Sequence, residues 1–125
     1  MRYDTSYDPP APSLVARLGN PYSTGFMEVR AKLDTGSDIT VIPHHAVFEL
    51  GLIPAGRVFV SSVDEAGEWR YTYFLDLSFQ GFRFELVEVI PAKRNDMLLG
   101  RDILNKLKAL LDGKNMNFDL YDPKD

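Results

Sequence analysis

The chain has 125 residues, enough for one domain with a buried core and too few for two lobes around a cleft. The absence of cysteine excludes disulfides, thiolate zinc sites and catalytic thiols. The formal net charge is -4, and Lys and Arg are scattered along the chain, which argues against nucleic acid as the main partner.

The start of the chain, residues 1–10, contains no apolar segment typical of a secretory signal, and no later stretch is long enough to cross a bilayer. These features favour a cytoplasmic protein without a membrane partner. Residues 1–13 are polar and contain three prolines, so we expect a mobile N-terminal extension outside the core. The folded domain is then predicted to span residues 14–125.

The first half of this domain is predicted to be mostly strand. In residues 27–33, apolar residues alternate with charged ones, which is typical of a strand with one buried face. The other elements predicted here are strands at 14–18 and 39–42 and a short helix at 44–50.

A projecting hairpin is predicted next, because residues 58–63 and 69–75 are rich in β-forming residues and flank the polar segment 64–68. Its aromatic residues are expected to pack within the sheet; they are Trp69, Tyr71 and Tyr73. A second hairpin is predicted from strands at 75–79 and 82–90, separated by Gln80-Gly81.

The last third of the chain is predicted to contain the one long helix. Apolar residues recur there at helical spacing, at Ile103, Leu104, Leu107, Leu110 and Leu111. Gly113 is a suitable stop for this helix, and residues 117–121 read as a final strand. The predicted fold is therefore mostly β with one C-terminal helix.

The candidate chemistry lies at Asp34-Thr35-Gly36-Ser37, between two predicted strands. A tripeptide such as Asp-Thr-Gly is a weak signal by itself, and an ordinary turn stabilised by the Asp side chain would also explain it. Asp34 and Asp38 form a poor metal site, because two carboxylates in one loop lack a supporting His or Glu cluster. We expect no metal and no cofactor.

A second motif, later in the chain, makes the sequence pattern more specific than Asp-Thr-Gly alone. Asp34 to Ser37 follows an apolar strand, and Leu98-Leu99-Gly100-Arg101-Asp102 follows much later. Together with the central hairpin, they resemble the retropepsin-like aspartic proteases, and the match runs from about Leu14 to Tyr121. The resemblance implies a small closed β domain that carries half an active site and acts as a symmetric homodimer on an extended peptide or protein substrate.

The resemblance also implies a role for each residue of the loop. Asp34 is the catalytic residue, and two copies of it meet on the dimer axis. Thr35 bonds across that axis, Gly36 allows close approach of the backbone, and Ser37 donates to a carboxylate. These three residues set the geometry, whereas Asp34 transfers the proton.

Two further features follow from the resemblance. Arg101 is expected to form a structural ion pair with Asp38, and Asp38, Ala66 and Gly67 are expected to contact the substrate. The hairpin tip at 64–68 is expected to be a flap over the substrate. It departs from the family in having one glycine and three acidic residues, Asp64, Glu65 and Glu68.

The sequence therefore predicts an aspartic endopeptidase. The alternative is a catalytically silent dimeric module of the same fold that binds peptides or serves in assembly, because a fold does not guarantee an activity.

Overall fold

The computed structural model describes residues 1–62 and 65–122, without the side chains of Ser62 and Glu65. In chain order the elements are β1 (Ser13–Gly19), β2 (Phe26–Leu33), β3 (Val41–Pro43), α1 (His44–Leu50), β4 (Pro54–Ser62), β5 (Glu65–Phe79), β6 (Phe82–Ala92), β7 (Met97–Leu99), α2 (Arg101–Leu104), β8 (Lys108–Asp112) and β9 (Asn117–Tyr121). In this part of the chain, no helix has the length and apolarity needed to cross a membrane. The cytoplasmic location stays a prediction.

Six strands form a closed barrel. Their order is β1-β2-β7-β3-β6-β5, and β1 pairs with β5 to close the ring. The inward residues of β1 show why the strands close around a core: Leu14, Ala16 and Leu18 are buried, whereas Val15 and Arg17 between them are exposed. The predicted mostly β closed domain is confirmed.

Strand β7 lies between β2 and β3. It runs parallel to β2, with Leu99 opposite Leu33, and antiparallel to β3, with Leu98 opposite Val41. Because β2 and β7 run parallel, their carboxyl ends lie side by side. The loop after Leu33 therefore lies next to the turn after Leu99, although more than sixty residues separate them in the sequence.

Both predicted hairpins are confirmed. Strands β4 and β5 are antiparallel, with Ser62 opposite Glu65, and β4 extends beyond the barrel on the outer edge of β5. The predicted polar tip at 64–68 is mostly part of β5, while Val63 and Asp64 lie outside the described residues. Strands β5 and β6 meet at Gln80-Gly81, where both residues have positive φ.

The predicted long helix at 103–111 is wrong. Helix α2 ends at Leu104, and from Lys108 the chain forms β8, which pairs with β9. Only Ile103 and Leu104 of the apolar set are buried. Leu110 and Leu111 belong to a hairpin closed by a turn at Asp112, whose carboxylate accepts from the backbone and side-chain amides of Asn115. Tertiary pairing thus outweighs a helical periodicity that is present in the sequence.

The exclusion of residues 1–13 from the core is also wrong. Ala11 and Ser13 are buried, and the amide of Tyr3 donates to the carbonyl of Met116 at 2.8 Å. A polar, proline-rich composition hides these contacts because most of them use backbone groups, which the sequence does not distinguish. The mobility of the segment stays a prediction.

Candidate active site

Asp34 lies in a turn directly after β2, fixed by backbone hydrogen bonds. Its amide donates to the carbonyl of Leu99 at 2.9 Å, and its carbonyl accepts from the amide of Ser37 at 3.2 Å. Its side chain accepts from the amide of Gly36 at 3.0 Å, which is the pattern of an Asx turn. The side chain is half-buried at the end of the barrel, so the carboxylate is held in place and still reaches solvent.

Gly100 allows the second motif to approach this loop. A Cβ atom at Gly100 would lie 2.8 Å from the backbone carbon of Ile39 and 2.9 Å from the carbonyl oxygen of Ser37, closer than side chains tolerate. The next residue, Arg101, donates its amide to the same Ser37 oxygen at 2.8 Å. A glycine is therefore required for the two segments to be hydrogen-bonded.

The Arg101 side chain spans the other side of the loop. It donates to the carbonyl oxygen of Thr35 at 2.5 Å and forms an ion pair with Asp38. The Asp38 side chain is 86% exposed, so solvent screens the pair and its contribution is about 0–1 kcal/mol. Arg101 acts mainly by holding the backbone of the loop.

Asp102 makes a buried contact that the sequence analysis missed. Its carboxylate accepts from the Thr40 amide at 3.1 Å and from the Thr40 hydroxyl at 2.8 Å, and Thr40 is fully buried. The same hydroxyl accepts from the amide of Gly100 at 3.2 Å. The sequence offered one signal for this contact: Thr40 lies in the otherwise apolar segment 39–42, and a buried hydroxyl needs a hydrogen-bond partner.

These contacts distinguish the three carboxylates near the loop. Asp38 faces Arg101, and Asp102 is bound to Thr40. In the part of the chain that the structure describes, the Asp34 carboxylate accepts only the amide of Gly36. No group of three or more potential metal ligands occurs among the described residues. Asp34 is thus the carboxylate of the loop that is free to meet another group.

The other loop residues are positioned as follows. The Ser37 hydroxyl donates its one proton to the carbonyl of Ile39 at 2.6 Å. The resemblance implied a hydrogen bond from Ser37 to a carboxylate, which differs from this contact. Thr35 is exposed at the loop surface. A Cβ on Gly36 would lie 3.2 Å from the Asp34 carboxylate, so a side chain there would press on it.

The hairpin of β4 and β5 carries the residues predicted to contact substrate. Ala66 is exposed, and a Cβ atom at Gly67 would lie 2.3 Å from the ring of Phe59, so this exposed ring would have to shift to accept a side chain there. Two aromatic residues expected to pack within the sheet do not: Trp69 and Tyr71 are 63% and 59% exposed. Tyr73, nearer the barrel, is half-buried and packs against the core.

The exposed aromatic face results from strand alternation. Trp69 lies opposite Phe59, with which it makes an edge-on contact, and the Arg57 guanidinium lies 5.7 Å from the Trp69 ring. The opposite face is anchored to the barrel, because Arg70 donates to the carbonyl of Pro91 and the Thr72 hydroxyl donates to Glu88 at 2.6 Å. The sequence pattern of alternating aromatics could not tell which face meets the barrel.

Comparison with solved structures identifies the fold. The chain is similar to simian foamy virus (mac) protease, with a TM-score of 0.56 and 20% identity over 75% of this chain and 92% of that one. It is similar to EIAV protease in complex with the inhibitor HBY-793, with a TM-score of 0.51 and 18% identity over 76% and 86% of the two chains.

A third similar structure is a retropepsin-like aspartic protease from Rickettsia conorii, with a TM-score of 0.53 and 16% identity over 89% of this chain and 95% of that one. A comparison with protein-family models finds no match, and a comparison with curated proteins finds none. The chain has the retropepsin-like fold, and the predicted resemblance is confirmed at the level of structure.

Proposed function

We propose that this protein is an aspartic endopeptidase that acts as a homodimer on extended peptide segments. The proposal rests on how the Asp34 carboxylate is positioned and on its few contacts. This carboxylate is fixed by the backbone at the end of a buried strand, while Asp38 and Asp102 beside it are engaged by other side chains. The retropepsin-like fold, with the two motifs in contact, supports the same conclusion.

The chemistry explains why one free carboxylate per chain suffices. Peptide hydrolysis without a metal or a covalent nucleophile needs a base that deprotonates water and an acid that protonates the carbonyl oxygen or the leaving amine. An isologous dimer supplies two copies of Asp34 by symmetry. Two carboxylates in contact share one proton, because ionising both is costly. One Asp34 then acts as the base and the partner's Asp34 as the acid.

The remaining residues have supporting roles in this proposal. Thr35, exposed at the loop surface, contacts the partner copy, and Arg101 fixes the loop from behind. The β4–β5 hairpin closes over the substrate, with exposed Ala66 and Gly67, which lies against the ring of Phe59, near its tip. Asp38 borders the cleft, where its exposed carboxylate meets polar groups of the substrate.

The test is cleavage of a diverse peptide library at roughly pH 3 to 7, the range in which a proton-sharing carboxylate pair works. The parent protein is compared with Asp34→Asn, and Asp8→Asn is the matched control because it makes the same change at an exposed position outside the loop. Loss of cleavage in Asp34→Asn alone supports the proposal. Equal cleavage by the parent and Asp34→Asn contradicts the proposal. A parent protein that forms a dimer but cleaves no peptide favours the non-catalytic module.

A further inference from the structure

We propose that a groove on the outer wall of the barrel binds an extended peptide segment in which two acidic residues stand two and four positions along from one basic residue. The groove has a volume of about 680 Å³ and is lined by residues of β1, β2, β5 and β6. It anchors a protein substrate outside the segment that is cleaved. This use of the groove rests on the proposed function, whereas the binding of the peptide does not.

Four side chains form a row across the groove. Arg17 on β1 lies opposite Glu28 on β2 and also opposite Ser78 on β5. Ser78 in turn lies opposite Arg83 on β6. Residues directly opposite in antiparallel strands share one face, and this face is the outer one because Leu18, next to Arg17, is buried. Along the row the charges are therefore negative, positive, neutral and positive.

The floor beside this row is formed by small residues. Gly19 lies opposite both Phe26 and Asp76, so no side chain stands between these two. A Cβ atom at Gly19 would meet the carbonyl oxygen of Gly25 at 3.7 Å, which is an ordinary contact, so the position is not closed by a neighbouring side chain. Together with Ser78, Gly19 leaves a hollow in which an extended backbone fits.

The charges of the row are left without partners inside the protein. The Arg17 guanidinium lies over the ring of Phe26, 3.6 Å from its centroid. Within residues 1–62 and 65–122, neither Arg17 nor Glu28 forms an ion pair. Arg83 has Glu85 at 3.9 Å, but both side chains are exposed and solvent screens the pair. A ligand of opposite charge thus gains contacts without breaking strong ones.

The spacing of the row sets the spacing of the charges on the peptide. Neighbouring strands lie about 4.8 Å apart, so Arg17 and Arg83 lie about 5 and 14 Å from Glu28 along the row. In an extended peptide, residues two and four positions apart lie about 7 and 14 Å apart on the same face. A basic residue over Glu28 therefore places the two acidic residues near the long, flexible arginines. The other carboxylate of the groove, Asp76, already accepts from the amide of Leu86 at 3.0 Å.

The groove is distant from the candidate active site. Glu28 precedes Asp34 by six positions on an extended strand, which is about 20 Å. A peptide of five residues that fills the row does not reach Asp34 of the same chain. A substrate anchored in the groove needs further residues to reach the active site, and substitutions in the groove leave the contacts of the Asp34 loop in place.

The binding test is an NMR titration of the full chain carrying Asp34→Asn, so that the probe is not consumed, at neutral pH and low salt. The probes are the capped peptide Lys-Ala-Glu-Ala-Glu and its reversed sequence, since the row fixes the charge order and not the chain direction. One of them should shift the amides of Arg17, Ser78 and Arg83 and bind at least about tenfold more tightly than Glu-Ala-Lys-Ala-Lys. Equal binding of the charge-inverted peptide, or equally tight binding of inorganic phosphate, would overturn the proposal.

A charge swap separates binding from damage to the fold. Arg83→Glu should weaken the better probe about three- to tenfold, and should favour the version of that probe whose terminal Glu is replaced by Lys. Lys114→Glu is the matched control, because it makes the same charge change at an exposed position in the β8–β9 turn, and it should change neither affinity more than about twofold. A folded Arg83→Glu protein that keeps the preference of the parent would overturn the assignment.

The two proposals fail separately. A protein that binds the probe in the groove but cleaves no peptide would refute the proposed function and leave the binding site standing. A peptidase without binding in the groove would refute the site and leave the function standing. Where both hold, a cleavable peptide extended by the better probe should show a higher KM with Arg83→Glu than with the parent, at unchanged kcat. Equal KM values would contradict the anchoring role.

Discussion

The buried hydroxyl of Thr40 donates a hydrogen bond of 2.8 Å to the carboxylate of Asp102 and accepts one from the amide of Gly100. One side chain, directly before β3, thus joins the end of the Asp34 loop to the segment that supports this loop. The link explains why both motifs are needed to hold a single carboxylate in place.

Thr40→Val should destabilise the protein by about 1–3 kcal/mol, because it leaves the Gly100 amide and an Asp102 oxygen without a buried partner. Chemical denaturation followed by circular dichroism measures the effect. Thr24→Val, at an exposed threonine, is the control and should change stability by less than about 0.5 kcal/mol. Equal effects of the two substitutions would contradict the assigned role.

Gly100→Ala should also destabilise the protein, by about 1–3 kcal/mol, because the new methyl group overlaps the backbone of Ile39 and Ser37. Gly25→Ala is a suitable comparison, since a Cβ there meets only the Ser23 hydroxyl at 3.9 Å. We expect the Gly100 variant alone to lower the denaturant midpoint clearly. A neutral Gly100→Ala would show that the two motifs do not approach as closely as described.

The lowered pKa of Asp96 predicts that the stability of the protein depends on pH. Burial raises the pKa of this carboxyl, but hydrogen bonds from Arg94 and Tyr7 outweigh burial and leave the pKa below its ordinary value. The folded state therefore binds this proton less readily than the unfolded state, and the ionised form contributes stability above about pH 4. This contribution is lost as the pH falls through the lowered pKa of the folded state.

The check is the difference in unfolding free energy between the parent and Asp96→Asn. We expect the parent to be more stable at pH 6, and the difference to shrink below about pH 4. A difference that grows on acidification would contradict the lowered pKa.

The exposed aromatic face of the β4–β5 hairpin predicts an unequal response to truncation. Trp69→Ala should cost less than about 1 kcal/mol, because most of the side chain is already in water. Leu77→Ala, at a buried position of the same strand, should cost about 2–5 kcal/mol. Thermal or chemical denaturation of the two variants compares them, and a large loss in Trp69→Ala would show that its ring is covered.

The sequence predicted barrel strands whose buried face produces a clear alternation, as in residues 27–33, but it did not predict the three-residue strand β7. It failed at 103–111, where leucines at helical spacing belong to a short helix followed by an edge strand. Periodicity over so few residues cannot distinguish these states when pairing with a later strand decides the outcome.

The candidate site was predicted in part. The residues that meet at the loop, Asp34, Asp38 and Arg101, were named from the two motifs together. The Thr40 and Asp102 contact was missed, because a charged residue at the start of a helix has a simpler local explanation in the helix dipole. The exposure of Trp69 was also missed, since alternation assigns residues to a face but does not say which face is buried.

The most direct test of the central claim, that one Asp34 from each of two copies forms the active site, is a mixing experiment. Parent protein at a fixed concentration that saturates the dimer is mixed with an equal amount of Asp34→Asn and allowed to exchange, and peptide cleavage is measured. If each site needs both carboxylates, random pairing lowers cleavage to about half, and a tenfold excess of the variant lowers it to about one tenth. Cleavage that stays constant in both mixtures would show that each chain works alone, and would contradict the account.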